Sequence, residues 1–363
     1  MYLYPMSCFS YFGCCMPPIE SIGSTCCHSN ELAFTKFTKI PPKDILYANL
    51  VADLERLHYY VIADRIKRQV VVAIRGTMSF QDMATDARQK YVELWENSGH
   101  MLPEGFLMAS KRILREFREN STITRFLNEH KDYGVVFTGH SLGGSASIVC
   151  TLLLKHDQTW SRSVRAYAVG PAPCITHQLG KKDAWKEIIF SAVFRDDVVP
   201  RMCLQSLFRL RSQALAAFRR CSHPAEHVFQ DFKDLQSMEE ISIYQTADFP
   251  HVERRHYDEK SVPPLLIPGK IFHILGSPLG KRAIRCLPCL RSPLRHSSCT
   301  PQMRYSTVAY SACSSTFSEI RVTANMLLDH FPHRYLNALN GIKFPEEFCD
   351  DWDDAFERGR CYL

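Results

Sequence analysis

Short apolar runs alternate with amphipathic stretches between residues 60 and 200, and the alternation predicts strand, helix, strand. Val61 to Asp64 and Gln69 to Ile74 are two strand-sized runs joined by the charged turn Arg65-Ile66-Lys67-Arg68. From Phe106 to Leu127 apolar residues recur at helical spacing (Phe106, Leu107, Ile113, Leu114, Phe117, Ile123, Phe126, Leu127), with Asn120-Ser121 as a break. Val135-Val136-Phe137-Thr138 is a continuous apolar run of the kind buried on both faces of a parallel sheet. Ser145 to Leu154 reads as an apolar helix, and Val164 to Val169 and Ile188 to Phe194 as two further strands. The expected class is α/β, a mostly parallel sheet with helices on both faces.

Outside this core the pattern weakens. Residues 1–44, with Pro17-Pro18 and Pro41-Pro42, read as an irregular segment containing Cys and Pro. Leu207 to Arg220 fits a basic amphipathic helix, followed by a polar stretch to about Val262. Pro268 to Leu275 predicts one more strand, residues 276–318 a low-structure insertion, and regularity returns at Met326 to Leu339. No Pro/Gly/Ser linker divides the chain, so one domain over 45–345 is expected, with insertions at about 203–262 and 276–318. Residues 346–363 form an acidic tail. No apolar run approaches the roughly 18–20 residues that a membrane-spanning helix needs. Contact with a membrane surface is compatible with that pattern.

The 363 residues are 45% hydrophobic and 23% charged, ordinary for a globular chain. Placement of charge says more than the net +6, because no acidic residue occurs between Glu259 and Glu319. Lys260, Lys270, Lys281, Arg282, Arg285, Arg291, Arg295 and Arg304 fall in that interval. Such a surface can meet anionic lipid headgroups, and no aromatic ladder or nucleic-acid motif accompanies it. An ordinary solvated basic loop is the alternative. Of fifteen cysteines several are vicinal or close (Cys14-Cys15, Cys26-Cys27, Cys286 with Cys289), and the vicinal pairs are poor partners for each other in ordinary disulfides. Without a signal-peptide pattern, mostly free thiols in a reducing compartment are expected. The N-terminal cysteines lie among aromatic residues, a setting that suits palmitoylation as well as it suits buried thiols. Cys286, Cys289 and Cys299 lack a fourth ligand at zinc spacing, so no metal site is expected.

Gly139-His140-Ser141-Leu142-Gly143 follows the 135–138 strand and opens the next helix. In that setting Gly-x-Ser-x-Gly is a nucleophile elbow, which lifts a serine hydroxyl above the sheet. Glycines flank it because a side chain at either position would obstruct the close turn. The Leu142 N–H, at a helix N-terminus, can donate to an oxyanion. Arg75-Gly76-Thr77 ends an earlier strand, where Thr77 can supply the second donor. An activated serine needs a base and the base needs an orienting acid. Asp196 and Asp197 both end the 188–194 strand, and chain order leaves His223, His227, His251, His256, His273, His296, His330 and His333 open as the base.

RGTMSFQDMATD (Arg75–Asp86), TGHSLGG (Thr138–Gly144) and RDDVVPR (Arg195–Arg201) resemble the signatures of class 3 lipases. Within that family the chain is similar to the sn-1-specific diacylglycerol lipases, through PGKIFHIL (Pro268–Leu275) and NMLLDHFPHRYLNAL (Asn325–Leu339) as well. The resemblance implies an α/β-hydrolase fold with a long insertion between catalytic acid and base. It implies Ser141 as nucleophile, Asp197 as acid, His330 as base, Thr77 and Leu142 as oxyanion donors and Asp86 as a residue supporting the oxyanion loop. The substrate it implies is diacylglycerol at a membrane surface, cleaved to 2-monoacylglycerol and fatty acid, on the cytoplasmic face. No nucleic-acid partner is expected, and no cofactor is needed for this chemistry. Calcium dependence enters by resemblance alone. Those relatives also carry four N-terminal transmembrane helices, for which this sequence shows no counterpart.

Overall fold

A computed structural model describes residues 21–22, 29–50, 57–76, 90–220, 264–278, 303–311 and 315–342. In chain order the strands are β1 (Ser21–Ile22), β2 (Ile45–Asn49), β3 (Tyr59–Asp64), β4 (Gln69–Ile74), β5 (Tyr91–Glu93), β6 (Met101–Pro103), β7 (Gly134–His140), β8 (Val164–Val169), β9 (Ile175–Thr176), β10 (Ile189–Phe194), β11 (Leu265–Leu266), β12 (Lys270–Pro278) and β13 (Met303–Ser311). The helices are α1 (Ser29–Thr38), α2 (Glu104–Glu119), α3 (Ser121–Glu129), α4 (Leu142–His156), α5 (His177–Gly180), α6 (Leu204–Arg220) and α7 (Pro332–Gly341).

Nine strands form one sheet in the order β1-β2-β3-β4-β7-β8-β10-β12-β13. The middle five, β4 to β12, are mutually parallel, and antiparallel pairs flank them as β2-β3-β4 on one side and β12-β13 on the other. Burial alternates along β4: Val70, Val72 and Ile74 face a core built with Phe117 of α2, Ile123 of α3 and Ala146 of α4. Val71 and Ala73 face the other side, where Phe34 of α1 packs with Tyr60 and Ile62. Tyr335 and Ala338 of α7 join Phe194 and Ile274. Registered pairing of Ala73 with Thr138, Thr138 with Tyr167 and His140 with Val169 puts α1 and α7 on one face, opposite α2 to α4. This is the α/β-hydrolase arrangement.

The break expected at Asn120-Ser121 is a cap: the Asn120 carboxamide oxygen accepts from the Ile123 N–H at 2.9 Å and starts α3. Two expectations need correction. Within the irregular 1–44 segment, residues 29–38 are helical, because Phe34 stacks on Tyr60 with centroids 4.0 Å apart and tertiary packing compensates for a weak local pattern. Within the 276–318 insertion, β12 runs on to Pro278 and residues 303–311 form an antiparallel edge strand paired with it from Pro278–Met303 back to Lys270–Ser311. Half-buried Tyr305, Thr307 and Val308 suit such an edge without making the long apolar run that marks a central strand. Cys150, Cys174 and Cys203, the described cysteines, are free and buried. The pairs at 14–15, 26–27 and 286–289, and most of the basic interval, lie outside the described residues. No helix among the described residues is long and apolar enough to cross a membrane.

Candidate active site

β7 delivers His140 to the edge of the sheet, and α4 begins two residues later at Leu142. Between them Ser141 takes φ 58° and ψ −127°, a left-handed conformation costly for a side-chain-bearing residue. The turn closes so tightly that a Cβ on Gly139 would stand 2.4 Å from the backbone of Gly143. One on Gly143 would stand 2.4 Å from the Ile74 carbonyl, and one on Gly76 2.4 Å from that of His140. Glycine at these positions lets β4, β7 and α4 converge under the serine. Leu142 is the first residue of α4, so its N–H has no carbonyl partner within the helix. Thr77 and Asp86 lie outside the described residues. Gly76, immediately before Thr77, packs beside Ser141.

Opposite the elbow, a one-turn 3-10 helix, Leu328–His330, presents the imidazole. His330 Nε2 lies 2.9 Å from Ser141 Oγ, and His330 Nδ1 lies 2.9 and 3.0 Å from the two oxygens of Asp197. Of the two adjacent carboxylates, Asp197 makes this contact. The neighbouring Asp196 instead directs its N–H at Asp329 Oδ2, 3.4 Å away. Of the eight histidines left open by chain order, His330 meets the serine. The 133 residues between acid and base include β12 and β13, which extend the sheet beside β10.

Three polar residues not singled out from the sequence complete the surroundings. Tyr335 donates its hydroxyl to Asp197 Oδ2 at 2.5 Å and accepts from the Phe194 N–H at 3.0 Å. Asp197 Oδ1 also accepts from the Val199 N–H at 2.9 Å, so both carboxylate oxygens are held. Burial, then the adjacent Asp197 charge, push the Tyr335 phenol well above its ordinary range, which keeps it a donor. His140 donates Nε2–H to the carbonyl of His330 at 2.9 Å, its ring tilted against that of His330 at 4.5 Å. Burial, reinforced by the His330 ring, lowers His140 well below its ordinary 6.5, so it is neutral. Arg201 is fully buried, donates to the Thr316 carbonyl and lies 5.0 Å over the Phe317 ring. Burial lowers its guanidinium to about 10. Tyr335 stands five residues after His330 in a helix register that points back at the site, the one signal that could have marked it.

Residues 71–207 match the family described as Lipase (class 3). This lipase match contains Ser141 and Asp197, while His330 comes from beyond it, carried in by the sheet. Diacylglycerol lipase-alpha of Homo sapiens is 21% identical over 344 residues, 90% of this chain and 31% of that protein. Diacylglycerol lipase-beta of Mus musculus is 26% identical over 221 residues, 56% of this chain and 32% of that protein. The chain thus spans about a third of the length of these curated relatives. Among solved structures, lipase II from Rhizopus niveus is 21% identical, covering 48% of this chain and 65% of that chain with a TM-score of 0.40.

Proposed function

We propose that the chain is a serine lipase that hydrolyses the sn-1 ester of diacylglycerol, releasing 2-monoacylglycerol and a fatty acid. The hydrogen-bonded line from Ser141 through His330 to Asp197, standing on a strand–elbow–helix, is the observation that carries this reading. Ser141 Oγ attacks the ester carbonyl as His330 Nε2 takes its proton. Asp197, held by Val199 and Tyr335, fixes the proton on Nδ1 and stabilises the imidazolium. The oxyanion meets the N–H of Leu142 and, with the second donor assigned to Thr77, a two-point hole. His330 then protonates the departing alcohol, and water activated by the same imidazole clears the acyl-enzyme. Asp86 is assigned to support the oxyanion loop.

A lipid substrate is supported by exposed Leu327, Leu328 and Phe331, which surround the base on its short helix. Diacylglycerol is favoured over other lipids by the similarity, across 90% of the chain, to diacylglycerol lipase-alpha. Ser141 has no exposed surface, so an ester must displace neighbouring residues to reach it, as contact with a lipid surface would do. Peripheral attachment at the cytoplasmic face belongs to the same proposal. Calcium, implied by the family, has no role in these steps.

The test is a panel of emulsified diacylglycerol, monoacylglycerol, triacylglycerol and phospholipid on the purified chain. Preferential release of the sn-1 acyl group of diacylglycerol is expected, abolished by Ser141→Ala at a cost on the order of 10⁶ in kcat. Equal or greater turnover of phospholipid would replace the diacylglycerol reading with that of a phospholipase. Fluorophosphonate labelling that survives Ser141→Ala would remove the nucleophile assignment.

A further inference from the structure

On the face of the sheet away from α2–α4 lies a cleft of about 250 Å³ between α1 and α7. Its walls are Phe34 of α1, Ala73 and the Thr138–His140 stretch of β7 on the sheet, and Leu336 and Leu339 of α7. Ser141 is not among its lining residues, so the cleft lies behind the nucleophile strand. Leu336 and Leu339 remain 45% and 40% exposed, which shows that the cleft opens along α7. Phe37, one turn beyond Phe34 on α1, is 58% exposed.

Polar groups enter at the ends of β3 and β4. His58, Tyr60 and Arg75 all line the cleft, with Arg75 Nη1 3.3 Å from His58 Nδ1. Tyr60 is 5% exposed and its hydroxyl has no hydrogen-bond partner. A buried hydroxyl without a partner carries a desolvation cost that a bound acceptor would remove. Burial, then the nearby Glu31 carboxylate, raise the Tyr60 phenol, so it stays protonated and able to donate. Glu31 acts on Tyr60 without lining the cleft, and among the described lining residues Arg75 carries the formal charge. An apolar slot open along one side, with a cation and a partnerless donor on its sheet wall, suits a chain ending in an anion.

We propose that this cleft binds a free long-chain carboxylate, its head accepting from Tyr60 and Arg75 and its chain lying against Phe34, Leu336 and Leu339. The site lies behind the ester site: Ser141 does not line it, while His140 and Tyr335 stand between the two. It rests on the lipase reading only in that such a carboxylate is a product of that reaction.

Binding can be measured without turnover on Ser141→Ala by displacement of a fluorescent fatty acid with oleate or monoolein. One saturable oleate site is expected, and it should persist in wild-type protein whose Ser141 has been blocked by a fluorophosphonate. Leu339→Glu, at an exposed position, should weaken oleate at least about tenfold by placing a charge among the apolar contacts. Arg75→Gln should weaken it about tenfold, and Tyr60→Phe by a few-fold, in line with loss of a charged and a neutral hydrogen bond. Monoolein should bind more weakly than oleate. Absence of saturable binding to protein whose circular dichroism is native, loss of binding when Ser141 is blocked, or equal binding of oleate and monoolein would each overturn the proposal. Oleate binding by a protein with no esterase activity would leave this site standing and remove the lipase reading.

Discussion

The two halves of the catalytic centre are held by different means. Ser141 is placed by backbone: two strands and a helix converge where glycines admit contacts of 2.4 Å to a would-be Cβ. His330 is placed by side chains: Asp197 at its Nδ1, His140 at its carbonyl and Tyr335 behind the carboxylate. A backbone-held residue has few ways to move without unfolding its surroundings. A side-chain-held one can lose precision in small steps, so damage to the first half should appear as lost stability and damage to the second as lost rate.

The largest effect that would sharpen this contrast belongs to Asp197→Asn. It should lower kcat about 10⁴-fold by favouring the wrong His330 tautomer, with the thermal unfolding midpoint little changed. An unfolding midpoint that drops as far as activity does would break the contrast. Gly143→Ala should do the reverse. Its Cβ meets the Ile74 carbonyl and cannot be accommodated by a side-chain rotation, so chemical denaturation should show a loss of roughly 3 kcal/mol or more. Retained stability there would mean the elbow is more pliable than its contacts indicate.

Tyr335→Phe should cost roughly tenfold in kcat with KM hardly altered, since it removes one charged hydrogen bond to Asp197 and no contact with substrate. The smallest effect concerns pH. His140 is neutral in the fold because burial lowers its pKa from 6.5, so the unfolded chain binds a proton more readily. Its contribution to stability is therefore complete above about pH 6.5 and is lost as pH falls below that value. His273, lowered by burial while its Nε2 donates to the Arg195 carbonyl, acts with the same sign. In His140→Gln, which can still donate to His330, the slope of stability between pH 6.5 and 5 should flatten, as followed by urea denaturation at each pH. An unchanged slope would assign the acid sensitivity to His273 instead.

Much of this was legible in the sequence. The 135–138 run, the elbow and the 164–169 and 188–194 strands are dictated by local pattern, and the structure gives them nearly the expected bounds. Chain order could not choose among eight histidines, because the choice depends on which segment the sheet folds back onto Ser141. Resemblance to a family supplied His330 and Asp197, and the geometry brings both to the serine. Tyr335 and His140 escaped notice because their roles are contacts across 138 and 190 residues, which periodicity does not encode. Helix α1 and strand β13 were missed for a related reason. Each is stabilised by the surface it lies on more than by its own pattern.

The β12–β13 pair has a consequence for how the molecule can change. Pro278 and Met303 are opposite partners at one end of this ladder, so the chain leaves the sheet and re-enters it at the same place. Lengthening a flexible loop between two such fixed ends costs little, about 0.6 kcal/mol for each doubling. Segments can therefore be lengthened, exchanged or fused at that point while Asp197 on one side and His330 on the other keep their distance. For the engineer it is an insertion port; for evolution, a place where new control over the enzyme can be tried at little risk to its chemistry.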